Sequence, residues 1–403
     1  MRILLLYHYF YPDKCVSSRI FSDLAEELCK KGDSVSVFTS NRLLRENEHL
    51  LLFEKWNNVS IYRFSHPNFN QGNNFGRLIN SIILQIKWVC GFLKHKKEFD
   101  AMIVGTDPQF AYMMFPFLKL INRKIKLIHW VFDLYPEAVL VNSPLWMKML
   151  AATMKPIAKF SYRFVDEMVD IGPCMRKKLQ HYKHHAGNNT FPPWALKEPD
   201  SPLPFDPQTR HALFGNAKLG LLYSGTVGYA HDIRPFIDLA RECRKKKIDA
   251  AFCLAGYGNC FKEQTSLITA EDTNIKVVGF AAEEELEKRL LSADIHLVSL
   301  RKGWEGIVVP SKFFGAISMA RPVIFSGTEE SSIAKWCNEY HVGMLLNEET
   351  ADMLEDLLNK PETLASMKGK CFETYNCEFS KEKTCSRWQT MLETMFQNEK
   401  PVQ

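Results

Sequence analysis

Short apolar runs alternate along the chain with stretches in which apolar residues recur at helical spacing. In the opening unit, residues 4–7 form a continuous apolar run, and Ile20, Leu24 and Leu28 then recur every four residues until Gly32. A fully apolar run predicts a buried strand, and the four-residue period predicts a helix that packs against it. Further strand-like runs lie at residues 35–38, 101–104 and 126–132. This alternation predicts βα units with parallel sheets.

The pattern is interrupted once, by a proline-rich segment near the middle of the chain. Pro192 and Pro193 open this segment, and four more prolines lie in residues 199–207. Apolar runs then resume at residues 219–223, 251–254, 275–278 and 295–299. The sequence therefore predicts an α/β protein with two Rossmann-like domains, at residues 1–195 and 205–380. A final helix within residues 381–403 is expected to cross back to the first domain.

Two domains of this kind are expected to face each other across a cleft. In open α/β sheets, ligands bind beside the carboxyl ends of the strands, so the cleft is the expected site.

Composition and charge narrow the choice of partners and compartment. The 403 residues carry 51 Lys and Arg against 46 Asp and Glu, a mild formal charge of +5 that does not indicate a nucleic-acid partner. The 11 cysteines are odd in number and form no C-x-x-C pair, which favours free thiols in a cytoplasmic protein. The most apolar stretch, residues 78–93, is interrupted by polar residues and is too short to predict a membrane span.

Residues 303–324 contain the strongest candidate for an anion site. A PSK turn places Ser311 and Lys312 at the predicted start of a helix, where an ammonium and backbone N–H groups can meet a diphosphate. Arg301, at the predicted end of a strand, could add a second cation. The alternative is that both are ordinary surface charges. Glu305 lies between them, just after a predicted strand end, and a short apolar strand is predicted between Glu305 and the PSK turn. The alternative for Glu305 is an isolated surface carboxylate.

Glycine-containing turns follow two predicted strands of the second domain. Their small residues allow the backbone to approach a phosphate or a sugar, and the candidates are Gly225, Thr226, Gly228 and Gly256. Such turns are common, so the signal is weak by itself.

In the first domain, Asp133 at a predicted strand end could orient or deprotonate an acceptor hydroxyl. The equally weighted alternative is a helix N-cap. Ser17, Ser18 and Arg19 open the first predicted helix, where N–H groups could contact the acceptor or the donor. His8 near the end of the first strand is interpreted as a packing residue.

Taken in order, several segments resemble the retaining glycosyltransferases of the GT-B fold, family 4, and especially the bacterial branch that builds O-antigen, colanic-acid and capsule sugars. The segments are YFYPDKCVSSR at 9–19, HWVFDLYPEA at 129–138, VDIGPCMRKKL at 169–179, SGTVGYAHDI at 224–233, AGYG at 255–258 and VVPSKFFG at 308–315. The resemblance covers both predicted domains. No single motif is specific, but their order and spacing together are.

The resemblance implies transfer of a sugar from a UDP- or GDP-sugar to a polyprenyl-linked or oligosaccharide acceptor in cell-surface polysaccharide biosynthesis. It also implies that Glu305 contacts the donor sugar. Two departures stand out: Gly315 occupies the place of a second family Glu, and Thr226 and His231 stand where relatives carry a basic residue. No D-x-D pair occurs, so no metal or other cofactor is expected.

Residues 75–97 present apolar positions along one helical face and end in Lys94, His95, Lys96 and Lys97. This pattern is compatible with peripheral contact at the inner face of the cell membrane, to which residues 113–121 could add. The alternative is a buried helix with a solvated basic end.

Two rival functions also stay open: a nucleotide-sugar epimerase of the same fold, and an inactive nucleotide-sugar-binding protein.

Overall fold

The computed structural model describes residues 1–44, 48–67, 69, 74–141, 143–182, 189–258, 260–279 and 281–397. The chain divides into two compact units. Unit 1 contains Met1–Pro192 together with the described residues from Thr384 onward, and unit 2 is Pro193–Lys383.

Unit 1 is built on an eight-stranded sheet of order β3-β4-β2-β1-β5-β6-β7-β8, parallel except for the antiparallel β3–β4 pair. Its strands are β1 (Arg2–Leu6), β2 (Ser34–Ser40), β3 (Phe53–Trp56), β4 (Val59–Phe64), β5 (Ala101–Val104), β6 (Lys126–Trp130), β7 (Glu167–Asp170) and β8 (Asn189–Thr190). Its helices are α1 (Val16–Lys30), α2 (Asn74–His95), α3 (Phe115–Ile121), α4 (Glu137–Val141), α5 (Leu145–Tyr162) and α6 (Pro173–Leu179), with a 3-10 turn at Ala111–Met114. Strands β1 and β5 at the sheet centre are almost wholly apolar and buried, as parallel strands covered on both faces must be.

Unit 2 is built on a six-stranded parallel sheet of order β11-β10-β9-β12-β13-β14. Its strands are β9 (Leu219–Thr226), β10 (Ala250–Tyr257), β11 (Ile275–Val278), β12 (Ile295–Ser299), β13 (Val323–Ser326) and β14 (Gly343–Leu345). Its helices are α7 (Pro207–Phe214), α8 (Arg234–Lys245), α9 (Phe261–Thr265), α10 (Glu283–Leu291), α11 (Lys312–Ser318), α12 (Ser332–Tyr340), α13 (Thr350–Asn359) and α14 (Pro361–Thr374), followed by a π-helical turn at Tyr375–Phe379. None of the helices within the described residues is long and apolar enough to cross a membrane.

The last helix, α15 (Lys381–Gln397), begins in unit 2 and from Thr384 onward packs in unit 1. Trp388 is fully buried there, and its ring centroid lies 5.0 Å from that of Trp130 and 5.1 Å from that of Phe191. Aromatic rings at these distances and inclinations pack favourably. The C-terminal segment is therefore an integral part of the core of unit 1.

The structure differs from the sequence-based predictions at two places. The hairpin of β3 and β4 was not predicted, because only β4 alternates buried and half-buried side chains while β3 is largely exposed. The apolar residues before the PSK turn do not form a strand: only an isolated parallel bridge joins Glu305 to Val308, in a loop where Gly303 and Gly306 have φ values of 93° and 74°. Positive φ interrupts extended backbone.

The packing of α15 leads to a test of its structural role. Replacing Trp388 by alanine leaves a cavity between Trp130 and Phe191, so we expect the free energy of unfolding to fall by about 3–5 kcal/mol. Urea unfolding followed by circular dichroism measures the change. Thr394→Ala, at an exposed position of the same helix, is the control and should change it by less than about 0.5 kcal/mol. Equal stability of the two variants would contradict the assigned packing.

Candidate functional site

A cluster of basic side chains lies where β9 and β12 end, and His231 is at its centre. The Nδ1–H of His231 donates to the backbone oxygen of Ser299 at 2.8 Å. Because Nδ1 faces a carbonyl, it carries the proton, and Nε2 is left as an acceptor. The Nζ of Lys312 lies 3.3 Å from that Nε2. Burial, and next the charge of Lys312, lower the pKa of His231 to about 3, so the ring is neutral at physiological pH.

Arg301 joins the same cluster from the loop after β12. Its Nε donates to the backbone oxygen of His231 at 2.9 Å, and its backbone N–H donates to Ala230 at 2.8 Å. The charge of Arg301 also disfavours protonation of His231. Lys312 and Arg301, both predicted from the sequence, are therefore brought together around one neutral histidine. His231 had been noted only as a departure from the expected basic residue.

Lys312 is a half-buried side chain at the first position of α11. Its Nζ lies 5.3 Å from the centroid of the buried Tyr223 ring. Burial lowers the pKa of Lys312 to about 7. These surroundings do not fit the alternative of an ordinary solvated surface lysine. Ser311 precedes it at an exposed position, and the Ser311 side chain does not cap the helix.

The stem of Lys312 crosses the backbone of Gly225. A Cβ added at Gly225 would lie 2.8 Å from the Cε of Lys312, and the φ of +133° at Gly225 is one that other residues rarely adopt. Gly256 pairs with Gly225 across the β9–β10 ladder, and a Cβ there would lie 2.5 Å from the oxygen of Gly225. Thr226 is exposed at the end of β9, and space around Gly228 is open. Close packing thus explains why positions 225 and 256 are glycine, but it does not explain the glycine at position 228.

Glu305 organises the loop that leads to the PSK turn. One carboxylate oxygen accepts from the backbone N–H of Gly303 at 2.8 Å, and the other accepts from the hydroxyl of Thr328 at 3.0 Å. The side chain is half-buried, so the alternative of an isolated surface carboxylate is wrong. Glu305 does not lie at a strand end as predicted, since β12 ends six residues earlier at Ser299.

In unit 1, Asp133 lies three residues beyond the end of β6, and its backbone N–H donates to the hydroxyl of Thr106 at 3.2 Å. The next helix begins only at Glu137, so the alternative of an N-cap does not hold. Burial, and next the charge of Asp107, raise the pKa of Asp133 to about 6. A carboxyl with such a pKa can exchange a proton near neutral pH.

Asp107 and His8 lie in the same cluster of polar side chains as Asp133. Asp107 was not identified from the sequence, and His8 was assigned to packing. Asp107 accepts from the Nδ1 of the buried His8 at 3.1 Å. His8 follows β1, Asp107 follows β5 and Asp133 follows β6, and these three strands are neighbours in the sheet. The available signal was that each residue comes one to three positions after a predicted apolar run.

The serines predicted to open the first helix lie in the first turn of α1. The hydroxyl of Ser18 is fully buried and donates to the backbone oxygen of Asp13 at 3.0 Å, so this side chain is not available to a ligand. Ser17 and Arg19 are half-buried, and the Ser17 Oγ lies 3.7 Å from the Sγ of Cys15.

Across the described part of the chain, no three His, Cys, Asp or Glu side chains are placed to share a metal ion.

The two glycines of the SGTVG turn provide a matched pair of substitutions. Gly225→Ala forces an alanine into the left-handed region and pushes its Cβ against the Lys312 stem, so we expect a loss of about 1–3 kcal/mol in the free energy of unfolding. Gly228→Ala meets no atom within 4 Å and should cost less than about 1 kcal/mol. Urea unfolding of both variants measures the difference. A loss at Gly228 equal to that at Gly225 would contradict the assigned geometry.

Comparisons with known proteins agree with this architecture. No protein-family model matches the chain. Over 292 residues it is 24% identical to the curated "Probable glycosyltransferase WbjE" of Pseudomonas aeruginosa, covering 70% of each protein. Among solved structures, it is similar to sucrose-phosphate synthase from Thermosynechococcus elongatus, with a TM-score of 0.70, 14% identity, and coverage of 99% of this chain and 100% of that one.

A second solved structure is WaaG, described as a glycosyltransferase involved in lipopolysaccharide biosynthesis. The TM-score is 0.60 at 13% identity, with coverage of 95% of this chain and 98% of that one. At such low sequence identities, the solved structures are evidence for the fold. It is the fold predicted from the sequence, with two α/β lobes built on parallel sheets. The solved structures assign this chain the GT-B fold, and the curated relative gives it the broad enzyme class of a glycosyltransferase.

Proposed function

We propose that the chain is a retaining, metal-independent glycosyltransferase of family 4. It transfers a sugar from a UDP- or GDP-sugar to a lipid-linked or saccharide acceptor during synthesis of a cell-surface polysaccharide. The bacterial-branch motifs support this proposal, as does the similarity to WbjE, a probable glycosyltransferase, and to WaaG, a glycosyltransferase involved in lipopolysaccharide biosynthesis. A lipid-linked acceptor would place the enzyme in the cytoplasm, in peripheral contact with the inner face of the cell membrane.

The observation that carries the proposal is a desolvated ammonium with no described carboxylate beside it. The described contacts of Lys312 are to neutral His231 and the Tyr223 ring, and Arg301 brings a second positive charge to the same histidine. A cation in such surroundings is disfavoured in the free protein, which is why its pKa is lowered. A bound diphosphate would favour the charged form of Lys312, because it brings a negative charge into a partly dehydrated site.

In the proposed reaction, the bond between the anomeric carbon and the diphosphate oxygen breaks, and its electron pair stays on the diphosphate. The acceptor hydroxyl attacks the anomeric carbon from the same face, and its proton passes to the departing phosphate. Lys312 and Arg301 stabilise the charge that develops on the leaving group. Asp133 orients the acceptor hydroxyl, and Glu305, fixed by Gly303 and Thr328, contacts the donor sugar.

The first test of this function removes the ammonium while keeping its apolar stem. Lys312→Met is expected to lower sugar transfer by about 100-fold or more, the scale seen when one group that stabilises a developing anion is lost. Transfer and donor cleavage are measured by chromatography across a panel of UDP- and GDP-sugars. Lys302→Met, at an exposed lysine of the loop that precedes α11, is the control and should keep nearly full activity.

The same panel separates the rival functions. Conversion of a nucleotide-sugar into its epimer without any acceptor would identify an epimerase. Donor binding without cleavage or transfer, in wild type and variant alike, would identify an inactive binding protein. Full activity of Lys312→Met would overturn the assigned role of the ammonium.

The second test uses pH. With a pKa of about 7, lower than its value of 10.5 in an exposed lysine, Lys312 is mostly neutral above pH 7, and only its charged form pairs with a diphosphate. Binding above that pH must therefore take up a proton, and the affinity should fall as pH rises from about 7.5 to 9, by up to about tenfold per unit. Calorimetric titration with UDP and with GDP, in two buffers of different ionisation enthalpy, measures both the affinity and the proton uptake.

Lys312→Arg is the control for this pH dependence, because a guanidinium stays charged throughout the range. Its affinity should be nearly independent of pH, even if lower than that of the wild type. A wild-type affinity that does not change between pH 7.5 and 9 would contradict the assigned pKa and pairing.

A further inference from the structure

Helix α5 carries an unusually exposed apolar face. Leu145, Trp146 and Met149 in its first turns are 75%, 66% and 66% exposed, and the face continues through three more exposed apolar side chains, Leu150, Ile157 and Phe160. With 3.6 residues per turn, these six positions fall on one side of the helix. The residues that α5 buries against unit 1, including Ala151, Ala158 and Tyr162, fall on another side. The exposed face is therefore not a misplaced part of the core.

Two neighbouring elements extend this surface. The short helix α3 contacts both α2 and α5, and its Phe117 and Leu120 are exposed while Phe115 and Leu118 are buried. Helix α2 is also two-faced: Leu84, Trp88 and Phe92 are buried, whereas a stripe of exposed apolar residues is formed by Ile82, Ile86 and Leu93. Helix α2 is therefore partly buried, as one of its two alternatives requires, and it also exposes a second apolar stripe.

The exposed apolar residues of these elements, with Met113 of the 3-10 turn, are here called the apolar surface. It contains twelve of the twenty-three large apolar side chains that are exposed among the described residues. Monomeric soluble proteins rarely leave such a concentration uncovered, so it marks an interaction site.

The charged residues within these elements are of one sign, although Lys119 of α3 is paired with Asp166. No Asp or Glu occurs in residues 74–95, 111–121 or 145–162. Lys155 and Lys159 are exposed on α5, flanking the apolar face. A second copy of this chain seated on the same surface in a two-fold arrangement would bring these like charges together, which is unfavourable. A bilayer with anionic headgroups is complementary in both respects, because its acyl region accepts the apolar face and its headgroups attract the lysines.

We propose that the apolar surface seats the protein on an anionic lipid bilayer, with the exposed face of α5 as its main inserting element. This inference deepens the proposed function, since a lipid-linked acceptor is reached at a membrane. Because no helix within the described residues qualifies as a span, the helices are taken to lie in the plane of the interface.

The experiment is co-sedimentation of the full chain with two kinds of vesicle. One is pure phosphatidylcholine, and the other contains about 30% phosphatidylglycerol, an anionic lipid. We expect the partition coefficient to be at least about tenfold higher for the anionic vesicles and to fall as salt is raised. The triple variant Leu145→Ser, Trp146→Ser and Met149→Ser should lose about tenfold or more of this binding.

Matched controls distinguish vesicle binding by the apolar surface from nonspecific binding by other exposed apolar or basic residues. Leu51→Ser with Leu52→Ser removes apolar side chains of similar exposure elsewhere in unit 1 and should bind vesicles like the wild type. Lys155→Gln with Lys159→Gln should reduce the preference for anionic vesicles, whereas Lys262→Gln with Lys335→Gln, exposed lysines of unit 2, should leave it unchanged. Urea unfolding verifies that each variant is folded.

Three outcomes would overturn the proposal: no binding of the wild type to anionic vesicles, unchanged binding of the folded serine variant, or a wild-type dimer that the serine variant dissociates without vesicles. Donor cleavage in vesicle-free solution is measured alongside. If donor cleavage persists while vesicle binding is absent, the proposed membrane-binding surface is wrong and the transferase function is retained. If vesicle binding holds but no nucleotide-sugar is cleaved or transferred, the transferase function fails instead.

Discussion

The interaction on which the candidate site of unit 2 depends is the contact between the Lys312 ammonium and the neutral ring of His231. Most partly buried lysines are stabilised by a carboxylate, whereas the contacts described for this one are to an uncharged nitrogen and an aromatic ring. The Ser299 carbonyl fixes the histidine tautomer, and Gly225 leaves room for the lysine stem. The fold therefore holds the amine of Lys312 in a place where its charged form is disfavoured until an anion binds.

Unit 1 uses the same sheet geometry with the opposite sign of charge. The ends of three neighbouring strands bring together His8, Asp107 and Asp133. Burial and the nearby Asp107 charge make ionisation of Asp133 less favourable, just as burial does for Lys312. Both sites thus keep a charged group near its point of titration, which is the state in which binding or proton exchange responds most strongly to a substrate.

The sequence carried enough information for the fold class and for part of the site. Fully apolar runs identified the central strands, because only a strand covered on both faces reads that way. Lys312 and Gly225 were found because a helix start and a glycine turn leave local marks in the sequence. His231 and Asp107 were not, since their roles come from partners 81 and 99 positions away in the chain. The loop position of Glu305 was missed for a related reason: its shape depends on Gly303, Gly306 and the distant Thr328.

Helix α5 shows a further limit of sequence patterns, and it explains why its surface was overlooked. A helix with one apolar stripe reads as amphipathic, and the stripe is assigned to the core. When a second stripe is added, the helix is apolar around most of its circumference, and the pattern no longer tells which side is buried. Apart from Tyr162, the residues that α5 buries are small, such as Ala151 and Ala158, while the large residues Trp146, Met149 and Phe160 point outward. This is the reverse of what burial alone would select, and it supports the proposal that the large apolar residues have a partner outside the fold of unit 1.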